Sequence, residues 1–444
     1  MTLRTPFLAI TLLCTSQIVV QPVYAQSLPA VAQALSLTEV LAAARNNFDV
    51  QSARQAVAGA QGDVLAADRS PFAQLSAKTS SIDLQNGIGA GNVLTQKRID
   101  KSVGIDWTWE RGNKRALRTA AAQHALDAAQ ADLQETQVQQ LLATAAAYYD
   151  LSAAQERAEQ VGAIERSAAQ LASTAKRRVQ AGDLAAQDAA RTEIEARRAQ
   201  GDSLSAELDV QRAALALAQL TGLAAPKNLS TTQLRAQHVW PHAEASTNTD
   251  APANTQELDA ALARRADIRA AEQRVQAAQA ALDGAAAQKK ADITWGTSLD
   301  HFPGTSTRLL ELRMQMPLQL GVLGAYDYQG EVARAQANLG QAQTALDKAR
   351  LLAQGDLQRM QHERSTSAQR TQSYEQDILP RARQVASNAE LAYSKGAMSL
   401  SDLLDARRTL RATLLEAVAA RADYAKAWAA WQLRTQPELL GAAP

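Results

Sequence analysis

Apolar positions along the chain follow two periods, and the places where one gives way to the other divide it into elements. Between Leu37 and Ala67, the residues Val40, Ala44, Val50, Ala53, Val57 and Val64 recur at helical spacing. The same spacing returns between Leu258 and Ala287 around ARRADIRAAEQRVQAAQAAL. Each stretch reads as one helix. The two also align, Asp49 with Asp267, Val50 with Ile268 and Val57 with Val275, which points to an internal two-fold repeat.

After each of these helices the period falls to two. Val103, Ile105, Trp107 and Trp109 alternate with Gly104, Asp106, Thr108 and Glu110, and Ile293, Trp295, Thr297 and Leu299 alternate with Asp292, Thr294, Gly296 and Ser298. Strands are therefore expected over Ser102–Glu110 and Asp292–His301. Leu310–Leu320 alternates in the same way and Pro71–Leu84 more weakly, so each half carries one hairpin, at about 71–110 and about 291–320. Gln85 to Ile99, with Gly87, Gly89 and Gly91, and Phe302 to Thr307, with Pro303 and Gly304, read as surface loops. By alternation alone, an apolar face carrying Trp107, Trp109 and Trp295 fits a sandwich better than a lipid-facing sheet. Four strands cannot close a barrel, so a barrel would need partner chains.

From Gly112 to Val179 and from Tyr326 to Tyr393 the helical pattern is almost unbroken, each run being roughly 100 Å long at 1.5 Å per residue. Return helices follow over Ala185–Leu220 and Leu400–Leu433. The turns between them echo each other: VQAGDLAAQDAART at Val179–Thr192 is a fainter copy of YSKGAMSLSDLLDARRTL at Tyr393–Leu410, with Gly182 matching Gly396 and Asp188 matching Asp402. A glycine accepts the positive φ that ends a helix, and Asp or Ser soon after suits the first turn of the next. Each half is thus a long antiparallel helical hairpin. Pro380 should bend or break its helix.

The resulting division is a signal peptide at 1–25, a first repeat at 26–222 with its tip near 182, and a linker at 223–256 that includes Pro226, Pro241 and Pro252 and a small packed element. A second repeat at 257–435, with its tip near 396, and a tail at 436–444 complete it. Arg4, the apolar run FLAITLLCTSQIVV and Val23-Tyr24-Ala25 carry the export signal, with cleavage expected after Ala25. Cys14, the single cysteine, follows Leu13 where a lipidation site wants a small residue, so the mature chain keeps no cysteine for disulfides, thiolate metal sites or nucleophilic catalysis. Losing Arg4 balances the charge at 45 acidic residues against as many basic ones, which offers nothing to nucleic acid. Aromatic residues make up only 4% of the chain, a composition of long packed helices rather than a thick core. No later stretch approaches the ~18 consecutive apolar residues of a spanning helix, so any membrane crossing must use strands.

Catalytic chemistry finds no foothold. His238 and His242 stand four apart, but Pro241 between them argues against a helix presenting both to a metal. No phosphate loop, dinucleotide fingerprint or nucleophile elbow appears, and Asp402 with Asp405 lacks pocket-forming neighbours. The chain reads as a non-enzyme with no catalytic, cofactor or metal site.

Taken together, signal peptide, helix, hairpin, long helical hairpin, linker and second copy resemble the TolC-like outer membrane efflux proteins over nearly the whole mature chain. AYSKGAMSLSDLLDARRTL and ARRADIRAAEQRVQAAQAAL carry the likeness most strongly. ERGNKRALRTAAAQ at Glu110–Gln123 and MPLQLGVLGAYDYQGEVARAQANL at Met316–Leu339 look like the branch serving cobalt-zinc-cadmium resistance pumps. The resemblance implies a mostly α homotrimer in which four strands per chain complete a twelve-stranded barrel in outer-membrane lipid, continued by an α-barrel across the periplasm. It implies a passive exit duct of a tripartite efflux system, partnered by a periplasmic adaptor (membrane fusion) protein and an inner-membrane pump of the resistance-nodulation-division type. The hairpin tips, Val179, Gly182, Leu184, Lys395, Gly396 and Met398, would meet the adaptor. Asp402 and Asp405 would narrow the entrance, and Tyr393 and Asp188 would brace neighbouring helices. Met398 departs from the family pattern, where some members carry an arginine that helps hold the entrance shut, so a different latch is implied. The competing reading is a periplasmic coiled-coil scaffold that never enters the membrane.

Overall fold

The computed structural model describes residues 34–80, 99–222, 234–237, 239–243, 255–302, 306–317 and 326–435. The expected signal peptide with Cys14, the loop from Gln85, His238, most of the linker and the C-terminal tail lie outside these residues.

The first half contains β1 (Ala34–Leu35), α1 (Leu37–Ala44), α2 (Phe48–Ala67), β2 (Gln74–Ser80), β3 (Asp100–Trp109), α3 (Lys114–Gln180) and α4 (Ala186–Thr221). The second contains β4 (Arg235–Ala236), α5 (Thr255–Ala263), α6 (Ala266–Ala287), β5 (Ile293–Phe302), β6 (Ser306–Gln315), α7 (Gln329–Ser373), α8 (Leu379–Ser394) and α9 (Leu400–Thr435). Both strand-to-helix turns pass through a left-handed residue, Asn113 (φ 58°) before α3 and Tyr328 (φ 53°) before α7.

Several expectations need correcting. The stretch 37–67 is two helices, because Asn47 leaves the helical conformation to cap α2: its side chain accepts from the Asp49 N–H at 3.1 Å and donates to the Leu220 carbonyl at 2.7 Å. The stretch 258–287 is likewise split. Arg265 is extended at the start of α6, and its buried guanidinium is held by Asp267 at 2.8 Å and Asp356 at 3.2 Å. In both copies the period carries across a break that long-range polar contacts impose. The last strand starts at Ser306, inside the expected loop, and stops at Gln315, while 303–305 and 318–320 of the expected spans lie outside the described residues. Pro380 does not break its helix. A π turn, Tyr374–Ile378, precedes it, and this wider turn contains the carbonyl of Gln376 that a proline ring four residues on would otherwise strike.

The four long strands form one antiparallel sheet in the order β2, β3, β5, β6. Register puts Leu75 beside Ile105, Trp107 beside Trp295, Trp295 beside Met314 and Leu299 beside Leu310, so one face is apolar across all four strands. That face is bare: Trp107 is 50% exposed, Leu299 67% and Leu312 78%. The soluble-sandwich expectation fails here, because Trp107, Trp109 and Trp295 have no second sheet covering them among the described residues. The opposite face is polar and crowded. Asp106, Gly296 and Arg313 stand in register, the Arg313 and Asp106 side chains pair across the glycine, and a Cβ at Gly296 would collide with the Asp106 carboxylate.

Below the sheet the helices succeed one another side by side in matching order, α2 on α3, α3 on α6 and α6 on α7. Further down, α4 packs on α3, α3 on α9, and α9 on α7 and α8. Alanine supplies much of the buried surface, including Ala145, Ala214, Ala425 and Ala429, which lets backbones approach closely. A thicker core forms only at mid-length, where Val40, Leu41, Leu141, Tyr148, Tyr149, Leu217 and Leu433 meet. The linker is stitched on there. β4 pairs in parallel with β1, and the Gln155 side chain both accepts from the Ala236 N–H and donates to the Leu234 carbonyl. Trp240 donates to Glu156, which also holds Arg421 at 2.8 Å. Large apolar side chains remain exposed on the marginal helices, Ile194, Leu204 and Leu208 on α4 and Val385 and Leu391 on α8.

Candidate functional site

The lower end of the molecule is built by two helix reversals with the same backbone. At the first, Gly182 has φ +82°, its N–H bonds the Val179 carbonyl at 3.0 Å, and Asp183 N–H reaches back to Arg178 at 2.9 Å. At the second, Gly396 has φ +73°, its N–H bonds Tyr393 at 3.1 Å, and Ala397 N–H reaches Ala392 at 2.9 Å. These paired bonds are the Schellman closure of a helix, and they need the positive φ that glycine supplies without strain. Gly182, Lys395 and Gly396 are exposed at the turns, while Val179, Leu184 and Met398 are half-buried.

Met398 packs with Leu171, Tyr393 and Ala406 around Leu400, Leu403 and Leu404, so the residue that departs from the family pattern serves as an apolar anchor between α3, α8 and α9. Tyr393 also bridges hairpins. Arg178 donates to its hydroxyl at 3.5 Å and lies 6.0 Å from its ring centre. Asp188 instead faces Arg191 of its own helix at 3.9 Å, so within one chain Tyr393 and Asp188 are not brought together.

Asp402 and Asp405 are exposed on the first turns of α9. Asp402 accepts from the Ser399 hydroxyl at 2.7 Å, while its own N–H bonds Ser399 Oγ at 3.3 Å, a cap that fixes the carboxylate at the helix start. Asp405 accepts from Arg408 at 3.2 Å. Arg408 has a stronger partner that sequence reasoning missed, Glu195 on α4, whose carboxylate hydrogen bond holds the Arg408 guanidinium above its ordinary pKa. One turn further, Arg411 of α9 pairs with Asp202 of α4, and Arg407 pairs with Glu390 of α8 at 2.8 Å. The readable signal was the i, i+3 spacing of Arg408 and Arg411 opposite the i, i+7 spacing of Glu195 and Asp202, which places each pair along one helix face.

Behind these bridges α3, α4 and α9 do not close. A cavity of about 250 Å³ lies between them, lined by Ile164, Leu171, Ala199, Leu404 and Leu414 with Glu195, Arg408 and Arg411 on its wall. Near the tip α4 and α9 therefore meet through paired charges beside this space, while α3 and α9 pack through the apolar cluster around Leu403. The site offers exposed carboxylates and paired charges, and no constellation for bond making among the described residues. Among the described residues no three His, Cys, Asp or Glu side chains gather to hold a metal, and His242 serves through its carbonyl, which accepts from Tyr424 at 2.9 Å.

A four-stranded sheet with one bare apolar face, continued by long helical hairpins with reversals at the far end, is a fold that the chain shares with solved outer-membrane channels. The outer-membrane channel OprN superposes with a TM-score of 0.74 over 92% of this chain and 90% of its own, at 21% identity. VceC from Vibrio cholerae superposes at 0.71 over 90% and 95%, at 18% identity. Residues 40–223 match the outer membrane efflux protein family. The cobalt-zinc-cadmium resistance protein CzcC of Cupriavidus metallidurans is 25% identical over 379 residues, 83% of this chain and 82% of its own. The chain is thus similar to outer membrane efflux proteins, by the family match over residues 40–223 and by fold over most of its length, and similar to the cobalt-zinc-cadmium resistance protein CzcC.

Proposed function

We propose that the chain is the outer-membrane exit duct of a tripartite efflux system that exports heavy-metal cations. The observation that carries this reading is the bare apolar face of an open four-stranded sheet whose opposite face is polar and carries the Asp106–Arg313 pair. An apolar outside and polar inside suit a barrel wall, and open sheet edges cannot stand in lipid. Three chains would supply twelve strands, and the exposed apolar residues of α4 would meet those of α8 in the next copy. The two halves, each a helix pair, a hairpin and a long helical hairpin, arise from duplication, and the chain works from the outer membrane into the periplasm after cleavage of its leader. The scaffold reading leaves Trp107, Trp109 and Trp295 facing water without purpose.

In this duct Asp402 and Asp405 form the constriction, Tyr393 and Asp188 brace it, and the bridges from Arg408 to Glu195 and from Arg411 to Asp202 hold it closed in place of the absent arginine at 398. The adaptor docks on the tips, and the inner-membrane pump supplies the energy. The likeness to CzcC supports the metal cargo. A deletion strain is expected to lose resistance to cobalt, zinc or cadmium and to regain it with the intact gene. Unchanged sensitivity to all three would overturn the cargo while leaving the duct.

The adaptor contact has its own test. No atom lies within 4 Å of a Cβ built on Gly396, so Gly396→Val strains only the left-handed turn, by about 1–2 kcal/mol. Export and crosslinking of the tip to the adaptor should both fall severalfold. Normal crosslinking would remove this turn from the docking surface.

A further inference from the structure

The junction between sheet and helices carries more positive charge than its own acidic residues neutralise. Lys114 is paired with Asp292 at 2.9 Å, Arg115 with Asp68 at 3.1 Å, Arg118 with Glu110 at 3.1 Å and Lys289 with Asp327 at 3.4 Å. Arg69, Arg111 and Lys290 are exposed and have no ion-pair partner among the described residues. Each stands within a few residues of a strand's helix-side end, before β2, after β3 and before β5.

Two of the three are positioned by local geometry. Arg111 follows Trp109 by two residues, and its guanidinium lies 3.7 Å from the sulfur of Met316, itself two residues beyond Met314 on the apolar face. The charge is therefore laid across the end of that face, while the Arg111 N–H is taken by Asp292 at 3.0 Å. The stem of Lys290 passes over Gly112, where a Cβ would come within 2.8 Å of its Cδ. Immediately above stand exposed aromatics, Phe72 at 76%, Trp109 at 52% and Trp295 at 46%. Aromatic rings with cations just beyond them are the arrangement that a lipid headgroup layer selects, the rings at the interface and the cations at the phosphates.

We propose that Arg69, Arg111 and Lys290 form a collar that binds the phosphates of anionic phospholipid in the periplasm-facing leaflet, fixing the depth of the sheet in the membrane. This rests on the barrel reading. Mass spectrometry of the full-length protein, released from mild detergent after equilibration with phosphatidylglycerol or phosphatidylcholine, reads oligomer and bound lipid together. The wild type should retain phosphatidylglycerol in at least fivefold preference. The triple variant Arg69→Gln, Arg111→Gln, Lys290→Gln should lose that preference, whereas Lys289→Gln and the charge-keeping pair Arg111→Lys with Lys290→Arg should keep it. A triple variant that assembles and still prefers phosphatidylglycerol overturns the collar, as does displacement of the lipid by inorganic phosphate alone. Failure of the wild type to form a detergent-requiring oligomer overturns the barrel instead.

Discussion

Replacing Leu312 with Arg is expected to cut the yield of assembled trimer in outer membranes by tenfold or more. Leu312 is 78% exposed within β6 and stands on the face shared by Leu299, Trp295 and Met314. An arginine near the middle of a barrel's lipid face costs about 2–4 kcal/mol, and the proposed trimer would repeat that cost in each copy. Gln315→Arg, on the polar face of the same strand, should assemble normally. Heat-dependent migration of the oligomer on gels and its recovery from outer-membrane fractions would read both variants. Normal assembly of Leu312→Arg would mean that this face never meets lipid, and a monomer soluble without detergent would sink the barrel altogether.

The second large effect is expected at the tip, where two double variants separate holding the entrance closed from selecting what passes. Arg408→Ala with Arg411→Ala removes both bridges to α4 and leaves Asp402 and Asp405 in place. Exposed ion pairs contribute about 0.2–1 kcal/mol each, so losing two in every protomer should raise conductance in planar bilayers severalfold while cation preference persists. In the proposed trimer Asp402→Ala with Asp405→Ala should also raise conductance, because the shorter side chains widen the constriction and the Ser399 hydroxyl loses its carboxylate acceptor. In that variant, however, cation preference and block by multivalent cations from the periplasmic side should both decline. Unchanged selectivity and block in an assembled trimer would exclude the two carboxylates as the constriction. Unchanged conductance in the arginine variant would exclude the bridges as the latch.

Local physics made a good part of the fold legible along the chain. Alternation of Val103 to Trp109 and of Ile293 to Leu299 specifies strands with one apolar face, because successive side chains of a strand point to opposite sides. Gly182 and Gly396 mark the reversals because a Schellman closure needs a positive φ. The long runs before and after them carry helical spacing, with Pro380 as the competing signal that the π turn accommodates. What the chain could not disclose is which elements meet. Only the tertiary structure sets β3 against β5, aligning Asp106, Gly296 and Arg313 and making one continuous apolar face from the strands of two halves. It also breaks the helices at Asn47 and Arg265, where partners as distant as Leu220 and Asp356 outweigh an unbroken helical period. The tip shows the limit most sharply: Asp402 and Asp405 stand out in sequence, but the choice of Glu195 for Arg408 depends on the packing of α4, α3 and α9. Alanine-rich helices strewn with Glu, Asp and Arg offer many equivalent pairings at i, i+3 and i, i+4, and long-range geometry alone chooses among them.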